Sequence, residues 1–261
     1  AEDPMSIHLR QICLVAEKLQ PVADDLKSVL GLVVGYIDEG VAEFGLENSL
    51  FPVGTNFIEV VAPIRENTAA GRYLKRRAGD GGYMVICQCD SHETQLARRK
   101  RAQDLHVRLA WERELEAMHI MQLHPADTGG AFFEIDWDAK SDPQGNWGAA
   151  GGLRWQSAKR TGVVKSYRAA ELQSPDPAGL ASRWSSIAEI PLRKDANGRL
   201  EMPLANASIR FVEATDGRGE GLSGIDVVVA DRKRLLDAAE KRGCRNSDSQ
   251  VTIGGTRFHL V

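Results

Sequence analysis

At 261 residues, with 43% hydrophobic and 26% charged residues, the chain has a globular composition and is long enough for one large domain or two smaller ones. Its 33 basic and 36 acidic residues leave a net charge of -3, which provides no overall field for nucleic acid or an anionic membrane. The chain shows neither a signal-peptide pattern nor an apolar run of about 18 residues, so we expect a soluble, cytoplasmic protein.

The chain opens with a strand, predicted over residues 7–16, and an amphipathic helix that ends at Gly31. The stretch FPVGTNFIEVVAPI is predicted as a strand with a carboxylate, Glu59, among apolar residues. Because side chains alternate along a strand, Phe57, Glu59 and Val61 share one face. An ionised carboxylate is costly to bury alone, so that face is open to water, lines a polar cavity or meets a cation.

A charged connection, IRENTAAGRYLKRRAGDGG, leads into a second set of elements. An apolar strand, YMVICQCD, precedes a helix, SHETQLARRKRAQ, whose RRKR segment at 98–101 is predicted to be a solvated face. Three further strand candidates follow: LHVRLAWE, EAMHIMQLH and AFFEIDWD. The order of one strand, one helix and three strands has then occurred twice.

Residues 138–162 are rich in glycine and turn-forming residues, which indicates a connection between two parts of the chain. Strands and helices then resume, and the last helix, DRKRLLDAAEKRG, ends at Gly243. The whole chain contains four repeats of about 50 to 60 residues. Such repeats favour curved, antiparallel-rich sheets that carry helices on one face and leave the other face concave.

Three motifs, IRQICLVA, GTNFIEVVAP and LHPADTGGAFFEID, resemble segments of the vicinal oxygen chelate superfamily, in particular its glyoxalase-like members. The last motif resembles the corresponding hairpin of methylmalonyl-CoA epimerases. The resemblance implies an α+β fold of four βαβββ modules in two pairs, with curved sheets that form cups and helices outside. It places the first pair at 6–138, a linker at 139–159 and a divergent second pair at 160–261.

The resemblance also implies a metal site in the first cup. Transferred by position, the family's ligands fall on Gln11, Glu59 and Glu134, while Met84 stands where the family has His. The implied cofactor is a divalent metal such as Zn, Ni, Co, Mn or Fe, with no nucleotide cofactor. Glu134 matches the catalytic base, and His124 is a candidate for the missing ligand or for an acid.

These residues allow two functions. One is a metal-assisted lyase or isomerase that acts on a small carbonyl or thioester substrate. The other is a metal-free small-molecule binding protein of the bleomycin-resistance type, in which the metal site has decayed. Both functions imply a small-molecule ligand and no nucleic-acid or membrane partner. Both are compatible with a protein that forms a homodimer.

Other candidate chemistries receive less support from the sequence. An extradiol-type dioxygenase would need a His/His/Glu triad in the second pair, where the matching places fall near Tyr167, Ile225 and either Phe258 or His259. Five histidines are expected at the surface or at strand ends: His8, His92, His106, His119 and His259. The four cysteines show no CxxC spacing and are expected to be buried free thiols.

Overall fold

The computed structural model describes residues 6–261, and in that range the chain forms fourteen β-strands and six α-helices. The strands are β1 Ile7–Val15, β2 Leu46–Val53, β3 Asn56–Pro63, β4 Gly81–Cys89, β5 Leu109–Leu115, β6 Met118–Leu123, β7 Phe132–Asp138, β8 Val164–Ser174, β9 Arg193–Lys194, β10 Leu200–Pro203, β11 Ser208–Glu213, β12 Gly221–Val229, β13 Gln250–Ile253 and β14 Thr256–Leu260. The helices are α1 Leu19–Leu30, α2 Ala69–Arg76, α3 His92–Asp104, α4 Pro125–Thr128, α5 Pro177–Ala188 and α6 Arg232–Lys241. None of these described helices is long and apolar enough to cross a membrane.

The strands form two mixed, seven-stranded sheets, with the orders β2-β3-β1-β4-β7-β6-β5 and β13-β14-β12-β8-β11-β10-β9. The first strand of a module lies parallel to its last strand, as β4 does to β7, β8 to β11 and β12 to β14. Parallel neighbours require a crossover, which the helix after each first strand supplies. The predicted α+β fold of four βαβββ modules is confirmed.

Two of the four modules are reduced at their outer edge. In the first module, a single β-bridge between Tyr36 and Leu50 takes the place of the strand expected before β2. In the fourth, the strand before β13 is a single bridge between Arg245 and Val251. The second and third modules keep all three strands after the helix.

The chain divides into two compact units, each assembled from separate segments. The first unit comprises residues 6–11, 83–143 and 169–222. The second unit comprises residues 12–82, 144–168 and 223–261. Each unit therefore has a core built from both halves of the chain.

In the first unit, Trp184 of α5 is fully buried and stacks on Phe133 of β7, with ring centroids 4.3 Å apart. Its indole N–H donates to the Gly129 carbonyl over 3.1 Å. At the start of β1, the Asn206 side chain accepts from the Leu9 N–H over 2.8 Å and donates to the Leu9 carbonyl over 2.9 Å. This amide completes the backbone hydrogen bonding of Leu9 in place of a neighbouring strand.

In the second unit, α1 buries an apolar stripe and ends, as predicted, at Gly31, which adopts a left-handed conformation with φ of 68°. Trp155 is buried against Phe57, edge to face, with centroids 5.1 Å apart. Arg242 at the end of α6 pairs with Asp25 of α1 over 2.6 Å. The second unit is thus held by apolar packing and a peripheral ion pair.

Two local predictions are corrected by the structure. The charged connection before β4 contains a helix, α2, because Thr68 caps it and Tyr73 and Leu74 bury an apolar face. The RRKR segment is not wholly solvated: Arg98 is 0% exposed, and its Nη1 donates to Glu189 Oε2 over 3.1 Å. The prediction of four buried free cysteines is confirmed.

Candidate functional site

A polar face in the first unit is centred on β7, where Glu134 and Asp136 point to the same side because side chains alternate along a strand. Gln122 of β6 lies directly opposite Glu134, and Gln88 of β4 lies directly opposite Asp136. Directly paired residues share a face, so these four side chains converge. We call this group the β7 carboxyl face.

The two carboxyls of this face are almost inaccessible to solvent, with Glu134 7% exposed and Asp136 6% exposed. Gln122 Nε2 donates to Glu134 Oε1 over 2.7 Å, and the Met121 N–H donates to Asp136 Oδ1 over 3.3 Å. Asp136 is also hydrogen-bonded to Glu134. Burial, reinforced by the charge and hydrogen bond of Glu134, raises the pKa of Asp136 well above its usual range.

A cation from β1 reaches the same face. Arg10 is fully buried, and its Nη1 donates to Gln88 Oε1 over 2.8 Å and to the Asp142 carbonyl over 2.9 Å. Gln88 in turn donates to Asp138 Oδ2 over 3.4 Å. Arg10 therefore extends the β7 carboxyl face with a positive charge.

The register of β1 bears on the predicted ligand Gln11. Gln11 is buried, but it follows Arg10 on the strand, and alternation directs it to the face opposite Arg10. Within the first unit, the β1 residue that accompanies Glu134 is thus Arg10. Sequence reasoning missed Arg10, because the motif alignment fixes a position along the strand without showing which face it occupies.

In the second unit, Glu59 is 7% exposed and accepts a hydrogen bond from Asn48 Nδ2 over 2.8 Å. Asn48 lies on the neighbouring strand β2, and its own side-chain oxygen accepts from the Asp38 N–H over 2.9 Å. The Glu59 side chain is therefore buried and hydrogen-bonded to a polar neighbour, and it is not open to water. Its role as a metal ligand stays a prediction.

His124, the predicted acid or extra ligand, is the N-cap of α4, and its Nδ1 accepts from the Ala126 N–H over 3.1 Å. The neighbouring Asp127 is held by Arg108, whose hydrogen bonds lower the pKa of Asp127 to about 2. The observed contact of the His124 ring therefore serves the helix cap. Its catalytic role also stays a prediction.

No family model matches this sequence, and no curated protein matches it. Among solved structures, a hypothetical protein from Staphylococcus aureus matches with a TM-score of 0.62 at 12% identity, over 98% of this chain and 99% of that chain. A variant of 4-hydroxymandelate synthase from Streptomyces coelicolor matches with a TM-score of 0.66 at 13% identity, over 92% of this chain and 76% of that chain. This chain has the vicinal oxygen chelate fold. Methylmalonyl-CoA epimerase from Mycobacterium tuberculosis matches 50% of this chain and 87% of its own, with a TM-score of 0.42 and 23% identity.

The β7 carboxyl face does not hold the predicted set of metal ligands. Of the three family positions that lie in the first unit, Gln11 is directed away from the Arg10 side and Met84 offers only a soft thioether, which leaves Glu134. The guanidinium of Arg10 already places a positive charge on this face. No step of the chemistry below is therefore routed through a metal.

Elsewhere in this vicinal oxygen chelate fold, the described residues include a cluster able to hold a metal: His92, Glu114 and His119, with ligand atoms within 4.8 Å of one another. His119 is fully buried and is the second residue of β6, so of its two predicted placements the strand end is correct and the surface is not. The sequence signal was weak, because His92 and His119 are 27 residues apart on different elements.

Proposed function

We propose that the chain is a glyoxalase-like enzyme, a lyase or an isomerase, that moves a proton on a small carbonyl or thioester substrate. The observation that carries this proposal is the hydrogen-bonded pair of buried carboxyls, Glu134 and Asp136. Perturbed carboxyl pairs in a shared low-dielectric environment supply one group that holds a proton and one that can accept it.

In the proposed reaction, Glu134 is the base. Gln122 fixes one oxygen of its carboxylate, and Asp136, whose raised pKa retains a proton, donates to Glu134 and keeps it oriented. Glu134 removes a proton from the carbon next to the substrate carbonyl, and the electron pair moves onto the carbonyl oxygen as an enolate. Return of the proton completes an isomerisation, while expulsion of a leaving group completes a lyase reaction.

In the proposed reaction, the positive charge of Arg10 stabilises the negative charge that develops on the substrate. Its guanidinium lies on the face that carries Glu134, where a positive charge favours the developing enolate oxygen. Gln88 and the Asp142 carbonyl hold the guanidinium in place, so little reorganisation is needed during reaction. Arg10 would then perform electrostatically what a metal performs in metal-dependent relatives of this fold.

The proposal includes a cytoplasmic location, a small-molecule ligand and a division into pairs at 6–138 and 160–261 with a linker at 139–159. A metal-free binding protein is the second candidate, and the buried Arg10 specifically favours it. A guanidinium beside neutral and ionised carboxyls can bind a polar small molecule without chemistry.

The test is exchange of substrate protons with solvent. Small carbonyl compounds and acyl thioesters are incubated with the protein in D2O, and loss of the α-proton signal is followed by NMR. The enzyme proposal expects exchange that falls by at least about 100-fold in Glu134→Gln. Glu116→Gln, a change of the same type at an exposed turn position, should leave exchange unaltered.

The outcomes separate the two candidate functions. Exchange that survives Glu134→Gln in a folded variant overturns the assignment of the base. Binding of a ligand by wild-type protein, without exchange in any member of the panel, favours the binding protein. Circular dichroism of each variant establishes that the fold is kept.

A further inference from the structure

The second polar cluster of the first unit lies on the helix-covered side of its sheet. His92 is the first residue of α3, and His119 of β6 is paired directly with Glu114 of β5. The proposed proton transfer uses none of these three side chains. The cluster therefore requires its own explanation.

The two imidazoles are spaced as a shared ion would require. His92 Nε2 and His119 Nδ1 are 3.2 Å apart. Two nitrogens bound to one tetrahedral Zn²⁺ at about 2.0 to 2.1 Å would lie about 3.4 Å from each other. The planes of the two rings are inclined by 81°, so the rings approach one point from different directions.

The surroundings of His119 match those of a metal-bound histidine. Its other nitrogen, Nε2, is buried, has no hydrogen-bond partner and lies 3.7 Å from Glu112 Oε1. Arg99 holds Glu112 through Nε at 2.8 Å and Nη2 at 2.9 Å. Metal-bound histidines usually direct their second nitrogen at such a carboxylate, which fixes the ring and its tautomer.

His92 is also held in place. Its ring stacks on Trp137, with centroids 4.2 Å apart and planes inclined by 9°. Stacking fixes the plane of the ring and leaves Nε2 directed at His119 Nδ1, with which it shares a hydrogen bond when no ion lies between them. Glu114 is exposed and brings a carboxylate to the solvent side of the pair.

We propose that His92 Nε2, His119 Nδ1 and a Glu114 oxygen bind a divalent cation of the Zn²⁺ type. Two imidazoles and one carboxylate suit Zn²⁺ and leave a fourth position for water from the exposed side. The ion would tie the N-terminus of α3 to the β5–β6 hairpin. This site is separate from the β7 carboxyl face and stands independently of the proposed function.

The experiment uses the full chain after chelator treatment, with Zn²⁺ alone as the probe and isothermal titration calorimetry as the readout. Wild-type protein should bind one equivalent. His92→Gln and Glu114→Gln should each weaken binding by more than about 100-fold, beyond the range for loss of an outer carboxylate. Glu116→Gln is the matched control, because it removes the same charge from the same hairpin without removing a ligand.

Three results test the assignment of the Zn²⁺ ligands. Glu134→Gln should bind Zn²⁺ as wild type does, since the ion would lie outside the β7 carboxyl face. Equal affinity in wild type, His92→Gln and Glu114→Gln would overturn the assignment, as would no binding by wild type. Glu114 is exposed, so its variant tests the site even where a change at His92 disturbs folding.

Discussion

Replacement of Asp136 by Asn should change how the stability of the protein depends on pH. The folded state raises the pKa of Asp136 through burial and through Glu134, so between the unfolded and folded pKa values the folded chain binds more protons. The free energy of unfolding therefore falls as the pH rises through that window. The stabilisation that protonated Asp136 gives the folded state is fully present only below the pKa of Asp136 in the unfolded chain, which is about 3.9.

The magnitude follows from the single proton involved. One proton gives a limiting slope of about 1.4 kcal/mol of unfolding free energy per pH unit. In Asp136→Asn, the amide oxygen can still accept from the Met121 N–H, and the amide N–H can donate to Glu134 at every pH. The variant should lose this falling slope and become more stable than wild type at the upper end of the window.

Urea unfolding followed by circular dichroism, in pH steps from about 4 to 8, measures this difference. Asp127→Asn is the contrasting variant, because hydrogen bonds from Arg108 lower the pKa of Asp127 to about 2. The contribution of Asp127 is present above its unfolded pKa and is lost as the pH falls toward about 2, so this variant should keep the wild-type slope above pH 4. Parallel curves for wild type and Asp136→Asn would refute the reasoning.

Gly151→Ala should destabilise the protein by about 1 to 3 kcal/mol in thermal unfolding, because Gly151 has φ of 73° and its new methyl group would overlap the Tyr36 ring; an unchanged midpoint would contradict this. Trp184→Phe should cost about 2 to 3 kcal/mol, the sum of one lost hydrogen bond and a small void, as measured by urea unfolding. Glu189→Gln should cost about 1 to 2 kcal/mol, since it leaves the buried Arg98 without its charged partner while Glu189 itself is 40% exposed. If the free energy of unfolding depends on salt in the same way in wild type and in Glu189→Gln, the result would argue against the Arg98–Glu189 ion pair.

The order of elements could be predicted because it depends on local patterns. Apolar alternation marked the strands, and Gly31 and Gly243 marked the ends of two helices with the left-handed conformation that glycine adopts readily. The helix α2 was missed because its eight residues make only about two turns, which is too short for an apolar periodicity to stand out among the flanking charges.

The composition of the candidate site was harder to predict because it depends on register and on distant partners. A shift of one residue along β1 exchanges Arg10 for Gln11 on the face of the sheet, and no local pattern fixes that choice. The burial of Arg98 depends on Glu189, 91 residues further along the chain. The environment of His119 likewise depends on a helix and a second strand that are separate in sequence.

The side-chain amide of Asn206, which pairs with the backbone of Leu9 in β1, has a consequence for synthesis. Leu9 leaves the ribosome 197 residues before Asn206, so at about 5 to 20 residues per second its backbone waits about 10 to 40 s for that partner. During that interval, the N–H and C=O of Leu9 lack this partner, although β3 and β4 on either side of β1 have already been synthesised. Nascent chains that stall before residue 206 should therefore protect the start of β1 less well than the full chain does, and the Leu9 N–H should exchange with solvent faster in them.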